Sequence, residues 1–164
     1  MPNIVFLGKS VALQLFTGTF ESTLDDKGRV VIPAPLRERY DGELVIMLGN
    51  GFYARIMTGK DFMKFKETWR KLPLSPEEKL AYQYLESTAK VTEVDKKTGR
   101  IPIPAAIRSY TSLSKDCLVL SINECLEIWN AETYHAHMRE IQQTLKESMK
   151  KWPMDSSSKE GEEN

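Results

Sequence analysis

The stretch GRVVIPAPLR at residues 28–37 recurs later in the chain as GRIPIPAAIR at residues 99–108. Both copies follow the pattern G-R-x-x-I-P-A-x-[LI]-R, and a short apolar run follows each of them, at residues 43–48 and 116–121. Repetition of a motif together with its surroundings marks a duplicated structural unit. The sequence therefore predicts two tandem copies of one small module.

Each copy predicts the same order of elements, which is ββαββα. In the first copy, alternating polar and apolar side chains indicate a half-buried strand. A turn then ends at Gly28, which is free to adopt a positive φ, and Pro33 stops the pairing of the next strand. The expected strands span residues 19–24, 29–32, 44–48 and 53–57, and the expected helices span residues 33–40 and a segment from about residue 60.

Two longer helices are predicted, one between the copies and one at the end of the second copy. Ser75-Pro76-Glu77-Glu78 is typical of a capping box with Pro at the first helical position, and it predicts a linking helix over residues 76–88. Asn130 is the expected N-cap of a helix over residues 131–151, whose apolar stripe favours core or subunit packing. The predicted fold class is α+β. Because a module of about 50 residues buries too little apolar surface to be stable alone, we expect the two copies to complete one another.

Charge is balanced over the whole chain, which has 23 basic and 23 acidic residues. A protein that binds nucleic acid through a general basic surface usually carries a strong positive charge. Here the basic side chains are concentrated locally, because residues 90–108 contain five Lys or Arg and only two acidic residues. Any contact with DNA must therefore be local and directed.

Neither catalysis nor a metal site is indicated. The sequence contains no nucleophile elbow, P-loop, zinc-protease motif or Cys-x-x-Cys motif. His135 and His137 are two positions apart on a predicted helix and so point to different faces. The paired Asp25 and Asp26 sit in a turn beside Lys and Arg and not in an apolar cleft. We expect no enzyme, no cofactor, no metal ion and no small-molecule substrate.

The cysteines and the hydropathy predict a cytoplasmic protein. Cys117 and Cys125 are too few for a disulfide framework, which predicts two free thiols in a reducing cytosol. No run of about 18 apolar residues suggests a membrane span. Residues 1–15 lack the features of a secretory signal.

The repeated box and its surroundings closely resemble the MraZ family of bacterial proteins. The resemblance rests on Phe16-Thr17-Gly18-Thr19-Phe20, on Leu24-Asp25-x-Lys27-Gly28-Arg29, on the second Gly-Arg box with Ile103-Pro104, and on Leu126-Glu127-Ile128-Trp129. It covers about residues 16–150. The resemblance implies two tandem SpoVT/AbrB-like swapped-hairpin modules, which are small and β-barrel-like, with linking and flanking helices.

The resemblance also implies a function. Members of the family are nucleoid-associated transcriptional regulators that form ring-shaped homo-oligomers. They bind short direct repeats of double-stranded DNA in the promoter of the division and cell-wall gene cluster, usually their own promoter. The residues to which the resemblance assigns DNA contact are Lys27, Arg29, Lys97 and Arg100.

Neighbouring residues are expected to support these basic side chains. The acids and glycines expected to position the loops are Asp25, Gly28, Asp95 and Gly99. Arg37 and Arg108 are open to two interpretations, because they could contact DNA or serve as helix C-terminal residues favoured by the helix dipole. A purely structural ion pair with the neighbouring acids is the alternative role for Arg29 and Arg100.

One departure from the family pattern affects the second box. Asp95 precedes Arg100 by five positions, whereas Asp25 precedes Arg29 by four. The extra residue affects the assignment of Asp95 and Lys97 more than that of Arg100.

The expected organisation of the chain has five parts. An N-terminal extension precedes the usual start of the family, and an upstream start assigned in error is one hypothesis for it. The parts are the extension at residues 1–15, a first SpoVT/AbrB-like domain with its helix at 16–72, the linking helix at 73–88, a second such domain with the C-terminal helix at 89–151, and a disordered tail at 152–164.

Two other classes of protein are compatible with parts of this pattern. An AbrB-like antitoxin would bind both an operator and a toxin, but such proteins usually carry one hairpin domain and a disordered toxin-binding tail. A non-catalytic interaction scaffold could use the long amphipathic helix as its partner surface.

Overall fold

The computed structural model describes residues 3–7, 10–14 and 18–153. Ten strands and five helices lie in these residues. The strands are β1 (Asn3–Leu7), β2 (Ser10–Gln14), β3 (Gly18–Thr23), β4 (Arg29–Val31), β5 (Leu44–Leu48), β6 (Tyr53–Thr58), β7 (Lys90–Thr92), β8 (Arg100–Pro102), β9 (Asp116–Ile122) and β10 (Cys125–Asn130). The helices are α1 (Ala34–Arg37), α2 (Gly59–Arg70), α3 (Pro76–Ser87), α4 (Ala105–Thr111) and α5 (Ala131–Met149).

The order of these elements confirms the predicted α+β class and the duplication. From β3 onward the chain runs ββαββα, then α3, then ββαββα again. Helix α1 is a single turn and is shorter than the segment of residues 33–40 expected for it. Strands β1 and β2 pair antiparallel in a sheet of their own, and the sequence had predicted no structure for this extension.

A six-stranded antiparallel sheet joins the two copies. Its strand order is β3-β9-β10-β6-β5-β7. Strand β3 of the first copy pairs with β9 of the second, and β7 of the second copy pairs with β5 of the first. The hairpins β5–β6 and β9–β10 meet through β6 and β10. Each copy therefore supplies the edge strand that the other copy's hairpin lacks.

A second exchange between the copies forms a two-stranded sheet of β4 and β8. Its central pair, Val30 opposite Ile101, is fully buried. Beyond each end of the pair, a backbone N–H donates to a carbonyl of the other copy: Ile103 N to Gly28 O at 2.9 Å, and Ile32 N to Gly99 O at 2.8 Å. The two repeated boxes thus bond to each other in a nearly symmetrical way.

The main hydrophobic core is built from both copies at once. It lies between the small β4–β8 sheet, the short helices and one face of the large sheet. Its buried members are Val30, Ile32, Leu36, Tyr40, Leu44, Ile46, Leu48, Ala54, Ile56, Ile101, Ile103, Ile107, Cys117, Val119, Leu126 and Ile128. Because these side chains come from both copies, neither copy has a complete core of its own. Burial of such side chains is the main favourable contribution to folding.

A smaller apolar cluster covers part of the opposite face of the large sheet. Tyr53, Leu118, Leu120 and Trp129 form it, and Tyr134 of α5 packs against them. Beyond this contact the stripe of α5 becomes progressively more exposed. The stripe consists of Tyr134, Met138, Ile141, Leu145 and Met149; Met138 and Ile141 are half-buried, and Leu145 and Met149 are exposed.

The predicted helix starts and free thiols are confirmed. Ser75 and Glu78 form the capping box of α3, and the Asn130 side chain accepts from Thr133 N at 3.1 Å. Cys117 and Cys125 are both free. No helix in the described part of the chain is long and apolar enough to cross a membrane. The tail predicted to be disordered, residues 152–164, lies outside the described residues from residue 154 onward.

Candidate nucleic-acid interface

The candidate site is centred on the two turns that precede β4 and β8. In each turn an aspartate begins the loop and its backbone N–H donates to the arginine that follows: Asp25 N to Arg29 O and Asp95 N to Arg100 O, both at 2.8 Å. Each loop ends at a glycine of positive φ, +76° at Gly28 and +69° at Gly99. Glycine is favoured there because a Cβ makes this backbone region unfavourable.

Asp25 binds the first turn with both of its carboxylate oxygens. Its Oδ1 accepts from the backbone N–H groups of Lys27 at 3.0 Å and Arg29 at 2.9 Å, and its Oδ2 accepts from Arg29 Nε at 2.8 Å. Partial burial acts to raise the pKa of Asp25, but the hydrogen bonds from Arg29 and Lys27 outweigh it and hold the pKa below its ordinary value. Asp25 therefore remains ionised at neutral pH.

Arg100 of the second copy reaches the same carboxylate. Its Nε lies 3.5 Å from Asp25 Oδ2, and within the described residues this Nε has no hydrogen-bond partner. The side chains of Arg29 and Arg100 are about one third exposed, at 36% and 37%. One acid thus lies between an arginine from each repeat.

Asp95 acts differently from Asp25. Its Oδ1 accepts from Lys97 N at 2.9 Å, Thr98 N at 2.8 Å and Thr98 Oγ1 at 3.1 Å. These bonds, first of all those from Thr98, lower the pKa of Asp95. Arg100 N is 3.4 Å from Thr98 Oγ1 and does not reach Asp95. Both acids thus bond to the backbone of their own loops, but only Asp25 also contacts arginine side chains.

The register of the small sheet explains why the two arginines meet. Arg29 lies opposite Pro102, and Arg100 lies opposite Val31. Side chains alternate between the faces of a sheet, so both arginines lie on the face opposite the buried pair of Val30 and Ile101. The strand pairing therefore places both on the outer side of the core.

Arg37 and Arg108 lie against the turns of the opposite repeats. A Cβ added at Gly28 would collide with the guanidinium of Arg108, and one added at Gly99 would collide with that of Arg37. Arg37 Nε also donates to Ile32 O at 2.7 Å. Each arginine thus packs against the glycine turn of the other copy, and each lies in the last turn of its helix. Contact of either with DNA stays a prediction.

Lys27 and Lys97 complete the set of predicted basic residues. Both side chains are exposed, and neither forms an ion pair within the described residues. Each lysine follows its aspartate by two positions, and its backbone N–H donates to Oδ1 of that aspartate. The structure thus places Lys97 as the counterpart of Lys27 despite the extra residue in its loop.

Thr98 is a site residue that sequence reasoning did not identify. It is the residue before Gly99 in the longer loop, and its side chain bonds both Asp95 and the amide of Arg100. Threonine hydroxyls commonly form such local bonds in turns. An Asp-x-x-Thr-Gly sequence was the signal that could have revealed it.

Replacing Gly99 tests this description of the turns. Gly99→Ala should lower the free energy of unfolding by about 1–2 kcal/mol, because an L-residue is disfavoured at positive φ, and the added methyl must also displace Arg37. Gly59→Ala is the matched control, since nothing lies within 4 Å of its added Cβ and its φ is not positive. Urea unfolding measures both variants, and equal effects would contradict the assigned turn geometry.

Histidine, cysteine and acidic side chains are the other candidates for a site, and the two histidines pack separately from these turns. Within the described part of the chain no group of three His, Cys, Asp or Glu residues could hold a metal ion. His137 stacks on Trp129 with ring centroids 5.6 Å apart, while His135 contacts Tyr134. Burial raises the pKa of the Cys117 thiol to about 11.

Exchanged strands and paired Asp–Arg turns define the class of this protein: an α+β protein of two tandem repeats that share one core and one cluster of arginines. A family model described as "MraZ protein, putative antitoxin-like" matches residues 15–83 and 86–151. The chain therefore belongs to the MraZ family, as its repeated box predicts.

Three curated relatives illustrate the similarity, and each bears the name transcriptional regulator MraZ. The protein of Treponema denticola is 36% identical over 135 residues, which are 80% of this chain and 93% of the relative. That of Frankia casuarinae is 31% identical over 133 residues, covering 81% and 93% of the two chains. That of Paenarthrobacter aurescens is 31% identical over 134 residues, covering 82% and 94%.

Proposed function

We propose that this protein is a sequence-specific DNA-binding transcriptional regulator. The observation that carries the proposal is the pair formed by Arg29 and Arg100, which lie side by side on the outer face of the β4–β8 sheet. The relatives' name supports the same function. The arrangement serves binding and not catalysis, so we propose no enzymatic activity.

The arginines are suited to reading bases. Asp25 engages each of them at Nε, and the terminal Nη groups have no hydrogen-bond partner within the described residues. An arginine fork can donate to guanine O6 and N7 in the major groove, which contributes roughly 1–3 kcal/mol of discrimination. The exposed ammonium groups of Lys27 and Lys97 are suited to phosphate, which they contact as point charges.

The proposed architecture follows from the exchanged strands. Pairing of β3 with β9 and of β7 with β5 supports two SpoVT/AbrB-like swapped-hairpin domains, at residues 16–72 and 89–151, joined by the linking helix of 73–88. The two arginines would then belong to a single DNA-contact surface per subunit.

Assembly into a ring-shaped homo-oligomer is the second part of the proposal. Large apolar side chains are exposed on the outer helices and are available for contacts between subunits: Leu80 and Tyr84 on α3, and Leu145 and Met149 on α5. A chain without net charge binds DNA weakly as one subunit, and several linked sites raise the effective concentration of each. Such a ring fits a target of short direct repeats.

We propose the promoter of the division and cell-wall gene cluster, including the protein's own, as the target. A cytoplasmic location in association with the nucleoid follows from this function. The fit between a ring of identical sites and a repeated target is the physical reason for choosing direct repeats.

The test is a mobility-shift assay on the protein's own upstream promoter DNA, over a series of salt concentrations. Arg29→Ala and Arg100→Ala should each weaken promoter binding by about 10-fold or more, because each removes a bidentate donor. Size-exclusion chromatography checks that both variants keep the assembly of the wild type.

Each outcome has a distinct meaning. If both variants bind as tightly as the wild type, these arginines are structural and the DNA contact lies elsewhere on the surface. If the wild type binds no DNA at low salt, the proposed function is wrong and an interaction scaffold becomes the better interpretation.

An antitoxin function is the second candidate. The family description contains the term antitoxin-like. A toxin gene adjacent to this one and a stable complex between the two products would favour it. Two complete repeats and a structured C-terminal helix distinguish this chain from antitoxins that have one hairpin domain and a disordered tail.

A further inference from the structure

We infer that Asp25 is the single positioning residue for both DNA-reading arginines, so that the two repeats depend on one carboxylate and are not equivalent. The inference deepens the proposed function and rests on it. Asp25 belongs to the first repeat, and one of the two arginines that it holds belongs to the second.

The two arginines approach the same oxygen of Asp25. Arg29 Nε lies at 2.8 Å and Arg100 Nε at 3.5 Å from this one oxygen. Two guanidinium groups therefore meet at one oxygen, and a single acid sets the orientation of both.

The extra residue in the second loop explains why Arg100 contacts Asp25 and not Asp95. In the first loop the amide four positions after the aspartate belongs to Arg29, and it donates to Asp25 Oδ1. In the second loop Thr98 fills the coordination of Asp95 with its amide and hydroxyl. Arg100 is thereby displaced from its own aspartate, and the cross-strand register brings it to Asp25 instead.

The shared carboxylate also governs the balance between specific and non-specific binding. Its negative charge opposes phosphate while it aims two guanidinium groups at base edges. Removal of that charge should free the arginines to follow phosphates, which raises sequence-independent affinity, and should weaken base readout. Loss of the charge of Asp26, which is exposed in the same turn, should raise sequence-independent affinity without disturbing either arginine.

The experiment compares Asp25→Asn with Asp26→Asn in the full-length protein, since both substitutions remove one negative charge from the same turn. In Asp25→Asn the side-chain amide keeps an oxygen for the backbone N–H bonds of the turn, but its NH2 group replaces the Oδ2 that accepts from Arg29 Nε. Affinity is measured for the protein's own promoter duplex and for an unrelated duplex of equal length. For Asp25→Asn the ratio of promoter to unrelated affinity should fall by about 10-fold or more, whereas for Asp26→Asn it should stay within about 2-fold of wild type. Asp25→Glu should recover part of the ratio.

A measurement without DNA makes the inference independent of the proposed function. In NMR spectra, Asp25→Asn should shift the Nε–H signals of both Arg29 and Arg100, and Asp26→Asn should shift neither. If Asp25→Asn moves the Arg29 signal alone, the shared role is wrong. If both signals shift but the wild type binds neither duplex, the positioning role stands and the DNA-binding function fails. An unchanged affinity ratio in Asp25→Asn, with the wild type specific for its promoter, overturns the inference.

Discussion

Splitting the chain between the repeats, into residues 1–88 and 89–164, should leave neither half with a folded monomeric state. In the first half β3 loses its sheet partner β9, β4 loses β8, and β6 loses β10. The hairpin β5–β6 is the pairing of the large sheet that remains. An isolated two-stranded hairpin is at best marginally stable in water, so the loss of structure should be nearly complete.

The second half loses the reciprocal contacts. Strand β7 loses β5, and β9 loses β3, which leaves the hairpin β9–β10. The main core is divided as well, because its buried side chains come from both repeats. Each half would then expose apolar surface that the other half covers in the intact protein.

Circular dichroism and sedimentation measure the outcome. Each half alone should lack a cooperative thermal transition as a monomer, and an equimolar mixture should regain one as a 1:1 complex. The mixture is the matched control, since it has the composition of the full chain and lacks only the covalent link. A half that folds cooperatively as a monomer would contradict the exchange of strands.

Local sequence signals predicted most of the elements of this fold. Turn residues and alternating patterns located β3, β5 and β6, and the capping box at Ser75 located the start of α3. The exchange of strands lay beyond these signals, because periodicity shows which face of a strand is buried but not which strand pairs with it. The need for two copies to share a core was predictable from the small size of each.

The candidate site was also predictable only in part, because local patterns do not show which distant segments pair. The positive φ of Gly28 and the turn beginning at Asp25 follow from residue types. The extra residue before Arg100 was visible in the sequence, but its consequence depends on the register between β4 and β8. The contact of Arg100 with Asp25 joins two distant segments, and no local pattern encodes it.

Ile101→Ala should lower the free energy of unfolding by about 2–5 kcal/mol, which is the usual cost of removing a fully buried large aliphatic side chain. Ile101 is completely buried and lies opposite Val30 in the small sheet. Native proteins are stable by only about 5–15 kcal/mol, so a large part of the stability should be lost. Val91→Ala is the matched control, because Val91 is 68% exposed on an edge strand of the large sheet.

The location of the loss is as informative as its size. Ile101 belongs to the second repeat, yet its core contains side chains from both. Native-state hydrogen exchange should therefore show β5 of the first repeat and β10 of the second losing protection by the same free energy. Urea unfolding followed by circular dichroism and by tryptophan fluorescence should remain one coincident transition. If protection falls in the second repeat alone, the repeats fold as separate units and the shared core does not couple them.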